Sequence, residues 1–176
     1  IKQLKKVTVY FSIPFLTIEK SKPFEPYVPV PEVRFRAMKT LAEAGIPVGI
    51  GIAPVLLGYS DSDIPQLLEK ARESGASKAF MSLIHFDTDS IEEYFVQKLE
   101  EKLPTKAGKI LNHIRRERNG NLRHQNFAER NQGKTQEWEI ARQLFDLHYR
   151  KLGFETAEKA VEIIEEKKIP VQQKLF

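Results

Sequence analysis

The sequence predicts an α/β fold: a partial (β/α) barrel of parallel strands with a C-terminal α-helical extension. Three observations carry that expectation. Three short apolar runs with strand character occur, at Val7–Ser12, Pro47–Val55 and Lys78–Ile84. Each leads through a loop into a segment with helical periodicity, the order expected of parallel strands covered by helices. Three such units are too few to close an eight-stranded barrel, which takes about 250 residues. The chain therefore reads as part of a larger barrel enzyme, with residues 1–103 its C-terminal barrel part and residues 104–176 a helical extension.

Each element has a local reason. The first strand ends near Pro14. Between Lys20 and Pro31 lie Pro23, Pro26, Pro29 and Pro31, which remove backbone donors and fix φ, so an extended loop is expected there. A helix is expected from Pro31 or Glu32, with Val33, Ala37, Leu41 and Ala44 as its apolar face and Gly45 at its end. After the second strand, Leu57 to Asp61 forms a turn. Asp61 or Ser62 is expected to cap a helix carrying Ile64, Leu67, Leu68 and Ala71, which stops at Gly75. After the third strand, Ser90 with Glu93 forms a candidate capping box.

Beyond Leu103 the pattern turns helical. Pro104 opens a basic helix with Ala107, Ile110, Leu111 and Ile114 on one face, and Asn119-Gly120-Asn121 marks a turn. Thr135 is placed to cap a helix running to about Leu152, with Trp138 in its core. A last amphipathic helix is expected over Thr156–Lys168, followed by a loose tail from Ile169 to Phe176.

Composition restricts the chemistry. With 176 residues and 41% hydrophobic content, the chain can bury a respectable core, and one domain is expected. The longest apolar stretch, Ile46 to Leu57, is broken by glycines and Pro54, far short of a membrane span. No secretory signal pattern is visible, so a cytoplasmic protein is expected. The chain has no cysteine, which excludes disulfides, thiolate nucleophiles and cysteine-held clusters within these residues. It opens on Ile1, with its first methionine at Met38, as expected of a processed chain or a piece of a longer one. No metal site is expected, because His113, His124 and His148 lack ligand spacing.

The order of certain residues then resembles a known family. Ser12, Phe24-Glu25-Pro26, Pro29-x-Pro31-x-x-Arg34, Leu41 to Val48 and Ala53-Pro54-Val55 are similar to the radical S-adenosylmethionine (SAM) superfamily. The branch is the one related to spore photoproduct lyase, also described as DNA repair photolyase-like. Phe95, Leu99, Pro104, Ile114-Arg115, Gly120, Phe127-x-x-Arg130, Gly133 and Leu144-Phe145 resemble that branch's C-terminal region, so the likeness runs over about residues 6 to 154. The family's CxxxCxxC loop, which holds a [4Fe–4S] cluster, is missing from this chain. The resemblance therefore implies a full-length parent that binds S-adenosylmethionine and [4Fe–4S], and a C-terminal fragment inactive without its N-terminal half. Ser82-Leu83-Ile84-His85-Phe86 also departs from the branch's Leu-Arg-Leu-Pro-like sequence.

Ligands of parallel α/β sheets sit at the carboxyl ends of strands. That rule selects Ser12 and Pro14, then Ala53 and Pro54, then Ser82 and His85. The resemblance implies that Ser12 hydrogen-bonds the cofactor, that the backbone of Ile52, Ala53 and Pro54 lines adenine, and that Ser82 and His85 approach substrate. His85 is the candidate catalytic residue, since imidazole transfers protons near neutral pH. Glu25, in its proline-held loop, either faces the cofactor or anchors the loop through Arg34 or Arg36.

Charge is unevenly placed. Between Lys102 and Thr135, nine Lys and Arg residues stand against Glu117 and Glu129 alone. Arg115, Arg116, Arg118, Arg123 and Arg130 are the candidate nucleic-acid contacts of this segment, a surface for an anionic partner. They support an alternative reading, a non-catalytic nucleic-acid- or anion-binding module on a degenerate barrel fragment. No strand ends in a lysine poised for a Schiff base, which ranks an aldolase-type barrel last. An open sheet edge also predicts self-association.

Overall fold

The computed structural model describes residues 7–123 and 133–155. Three strands, β1 (Val9–Ser12), β2 (Val48–Val55) and β3 (Lys78–Leu83), form one parallel sheet in the order β1-β2-β3. The register sets Ser12 beside Gly51, and Gly51 beside Phe80. The fold is thus α/β, with a small open three-stranded sheet. Helices α1 (Ile18–Ser21) and α2 (Pro31–Glu43) follow β1, α3 (Ile64–Glu73) follows β2, and α4 (Asp89–Lys102) follows β3. Helices α5 (Pro104–Glu117) and α6 (Gln136–Lys151) complete the described chain.

Two apolar cores result. Ile50 and Ile52 of β2, Met38 of α2 and Leu67 and Leu68 of α3 are fully buried in the first, which Trp138, Ala141 and Phe145 of α6 join. The second lies beyond the carboxyl ends of the strands, where Phe15, Leu56 and Phe86 pack with Leu99 of α4 and Ile110 of α5. Full burial of each such side chain contributes about 1.5–3 kcal/mol, so these clusters fix how the loops around the site are held. Among the described residues, no helix is long and apolar enough to cross a membrane.

Several local expectations change. The loop after β1 contains the short helix α1, capped by the Thr17 hydroxyl, which accepts from Lys20 N at 3.4 Å. Helix α2 starts at Pro31, but it buries Pro31, Arg34, Phe35 and Met38; Val33, Ala37 and Ala44 are exposed and Leu41 is half-buried. The large Phe35 and Met38 outweigh the smaller stripe, and Arg34 turns inward to its partners. A 3-10 turn at Asp61–Asp63 precedes α3, and no side chain caps it. Helix α4 is capped by Thr88, which accepts from Ile91 N at 3.3 Å, in place of the Ser90–Glu93 box. The faces read for α3 and α5 are the ones buried, and Thr135 caps α6, accepting from Trp138 N at 3.3 Å. The helix expected over Thr156–Lys168 and the tail after it lie outside the described residues.

Candidate functional site

Side chains alternate across a strand, and this alternation separates the site from the core. Val48, Ile50 and Ile52 point into the first core. Tyr10, Ser12, Gly49, Gly51, Ala53, Phe80 and Ser82 fall on the other face by the same alternation. Tyr10, Ser12 and Phe80 are exposed there. The rings of Tyr10 and Phe80 meet edge-on at 5.4 Å. Both lean over the glycines of β2: a Cβ on Gly49 would stand 2.5 Å from Tyr10, and one on Gly51 would stand 2.7 Å from Phe80. Only a residue without a side chain allows that approach. Burial, then the Glu155 carboxylate, pushes the Tyr10 phenol up, so it remains a donor at neutral pH.

Ser12, Ala53 and Ser82 thus come together at the carboxyl ends of three neighbouring strands. The Ser12 hydroxyl donates to the Ala53 carbonyl at 3.0 Å. Ile52 is fully buried, so only its backbone can serve the site. Glu25 takes the anchoring role: Arg34 donates to it at 3.1 Å through one amino group and closely through the other. The same guanidinium donates to the carbonyls of Ser12 at 2.6 Å and Pro29 at 2.7 Å. The end of β1 and its proline-rich loop are thereby tied to α2.

Pro54 and His85 line a different feature, a cleft of about 530 Å³ between the loop after β1, the ends of β2 and β3, and α4. His85 is exposed at this cleft. Inside it, Phe24 stacks with Phe95 at 6.0 Å and Phe86 meets Phe95 at 5.0 Å. Tyr27 and Tyr94 are exposed around it. Nothing in the sequence alone marks Tyr27 or Tyr94 as a site residue. The nearest signal is the adjacent aromatic pair Tyr94-Phe95, one ring out and one in. Beside the cleft Glu101 receives Lys98 and Lys102, each at 2.6 Å, and hydrogen bonds from Lys102, then Lys98, hold its carboxyl down at about 2.

The basic segment is less uniform than its composition implied. Arg115 is exposed, with Asn112 at 3.5 Å. Arg116 is paired with Glu137 at 2.7 Å and Arg123 with Asp89 at 2.5 Å. Arg118 does not stand on the expected surface. It is 4% exposed, donates to the Leu122 carbonyl and lies 5.8 Å from the Phe86 ring, and burial lowers its guanidinium to about 10. The turn at Asn119 and Gly120, both at positive φ, brings Leu122 back to it. Arg130 lies outside the described residues. Among those residues, no group of three or more His, Asp or Glu is arranged to hold a metal ion. No protein-family model, curated protein or solved structure matches the chain.

Proposed function

We propose that this chain is the C-terminal portion of a radical SAM enzyme of the spore photoproduct lyase-like branch, and that the sheet is part of a partial (β/α) barrel. The observation that carries the reading is the asymmetry of the sheet. One face is packed against α2, α3 and α6, while the other gathers Ser12, Ala53 and Ser82 around two glycines and two exposed rings. A doubly wound sheet is covered on both faces, whereas a barrel sheet turns one face to its interior.

The residues present suit the nucleoside part of S-adenosylmethionine. Gly49 and Gly51 keep Cβ atoms off the face, Tyr10 and Phe80 offer rings, and Ser82 with the backbone of Ala53 offers polar contacts. When bound beside its cluster, that cofactor supplies the radical chemistry. The cluster itself does not fit this chain, which has no cysteine; its thiolates would come from the N-terminal half. The work of these residues is to bind and orient, with Arg34 holding the end of β1 in register.

The test reads the coding sequence upstream of Ile1 and expects three cysteines spaced CxxxCxxC. In the full-length protein, Ser82→Val is expected to weaken S-adenosylmethionine binding by about tenfold in equilibrium dialysis, the loss of one hydrogen bond. Absence of the three cysteines, or unchanged affinity in the variant, removes the assignment.

A further inference from the structure

The geometry points to a binding site for a planar aromatic anion in the cleft between the loop after β1, the ends of β2 and β3, and α4. This ligand class is read from the cleft's own lining, and only a role as substrate site rests on the function proposed above.

Size, walls and charge argue together. The cleft's volume of about 530 Å³ lies within the range of small-molecule sites. Its walls are aromatic, with Phe24 and Phe86 each meeting the Phe95 ring on the inside. Its exposed side is more informative. Tyr27 is 98% exposed, Tyr94 63% and Ile91 50%, and adjoining exposed apolar side chains mark a surface that meets something. Planar rings fit such walls by offset stacking or edge contact.

Charge selects the sign of the ligand. The charged side chains lining the cleft are Lys98 and Lys102, and no carboxylate among the described residues lines it. Glu101 alone stands between the two ammonium groups, which leaves one positive charge in excess. Lys98 also lies 5.9 Å from the Tyr94 ring, so cation and ring adjoin, as they must for a ligand combining a π face with an anionic group. His85 adds a hydrogen-bonding group at the strand end. A carboxylate or a phosphate ester meets this requirement equally.

The test uses isothermal titration of the full 176-residue chain with 2-naphthoate and 2-naphthyl phosphate. Neutral 2-naphthylmethanol and non-planar cyclohexanecarboxylate serve as controls. Saturable binding of one or both anions at one site per chain is expected, with both controls weaker by about fivefold or more. The tighter of the two anions identifies the natural anionic group. Lys98→Gln with Lys102→Gln is expected to lower anion affinity about fivefold and flatten its salt dependence. Tyr94→Ala, which truncates a ring at the surface, is expected to lower it by a similar factor. Far-ultraviolet circular dichroism checks that each variant is folded. Absence of saturable binding into the millimolar range, equal binding of the controls, or folded variants that bind like the parent chain would overturn the inference. None of these outcomes depends on cysteines upstream, so failure here is distinct from failure of the radical assignment.

Discussion

Arg34 joins three successive segments: the end of β1 through Ser12, the proline-rich loop through Glu25 and Pro29, and its own helix α2. Its side chain is 10% exposed and that of Glu25 is 20% exposed. A charge this buried is costly unless its donors are used, and a planar fork with several donors suits the task. Removing the guanidinium leaves a carboxylate and two carbonyls unpaired. We therefore expect Arg34→Ala to cost about 3 kcal/mol, read from the urea midpoint. Glu25→Gln is expected to cost about 1–2 kcal/mol, since it keeps shape and some hydrogen bonding. Equal, small losses for both would show that the clamp does not hold the loop. The Glu25–Arg34 pairing was one of two partners open in the sequence. The inward turn of Arg34 was not legible, because nothing in the spacing marks one arginine of a helix as buried. Arg118 repeats the lesson. It reads like Arg115 and Arg116, and its burial follows from the turn at Asn119 and from Phe86, which lies far from it along the chain.

Among the elements, the most legible were helices with a single apolar stripe. In α3 the stripe is Ile64, Leu67, Leu68 and Ala71, and in α5 it is Ala107, Ile110, Leu111 and Ile114. Helix α2 carries apolar residues on more than one side, so its orientation was set by the bulk of Phe35 and Met38 and by the Arg34 clamp. Caps were ambiguous for a similar reason: Thr88 and Ser90 are both competent, and the direction in which the chain enters α4 selects Thr88. The helix-ending glycines were clearer. Gly45 and Gly75 have φ of +76° and +87°, a region costly for any residue with a Cβ. They differ in space: a Cβ on Gly45 meets nothing within 4 Å, whereas one on Gly75 would stand 2.4 Å from the Ala42 Cβ. Gly45→Ala is expected to cost about 1 kcal/mol, and Gly75→Ala at least about 1 kcal/mol more through the clash. Thermal melts of the two variants compare these costs. A reversed order would mean that α2 yields easily at Ala42.

For the whole molecule, β1 and β3 are the outer strands of a three-stranded sheet. Residues Ala79, Phe80 and Met81 of β3 border a cavity of about 740 Å³ shared with Trp138 and Phe145 of α6. Exposed strand edges and apolar rings are templates for pairing with another chain. We expect the isolated chain to self-associate at high concentration, as measured by multi-angle light scattering, and Phe80→Lys to suppress it by placing a charge on an outer strand. A monomer at every concentration would contradict this.

The alternation of apolar runs and helical periods, by itself, determined the α/β class, the three strands and the starts of α2, α5 and α6. These depend on patterns within a few residues, where backbone geometry and local hydrogen bonding dominate. The sequence places Ser12, Ala53 and Ser82 at strand ends, and the register of the sheet brings them side by side. Tertiary structure decided the rest: which face of the sheet the described helices cover, which arginines keep their charge on the surface, and the aromatic cleft at the strand ends. Those outcomes arise from contacts between segments tens of residues apart, where burial and partner geometry outweigh local preference.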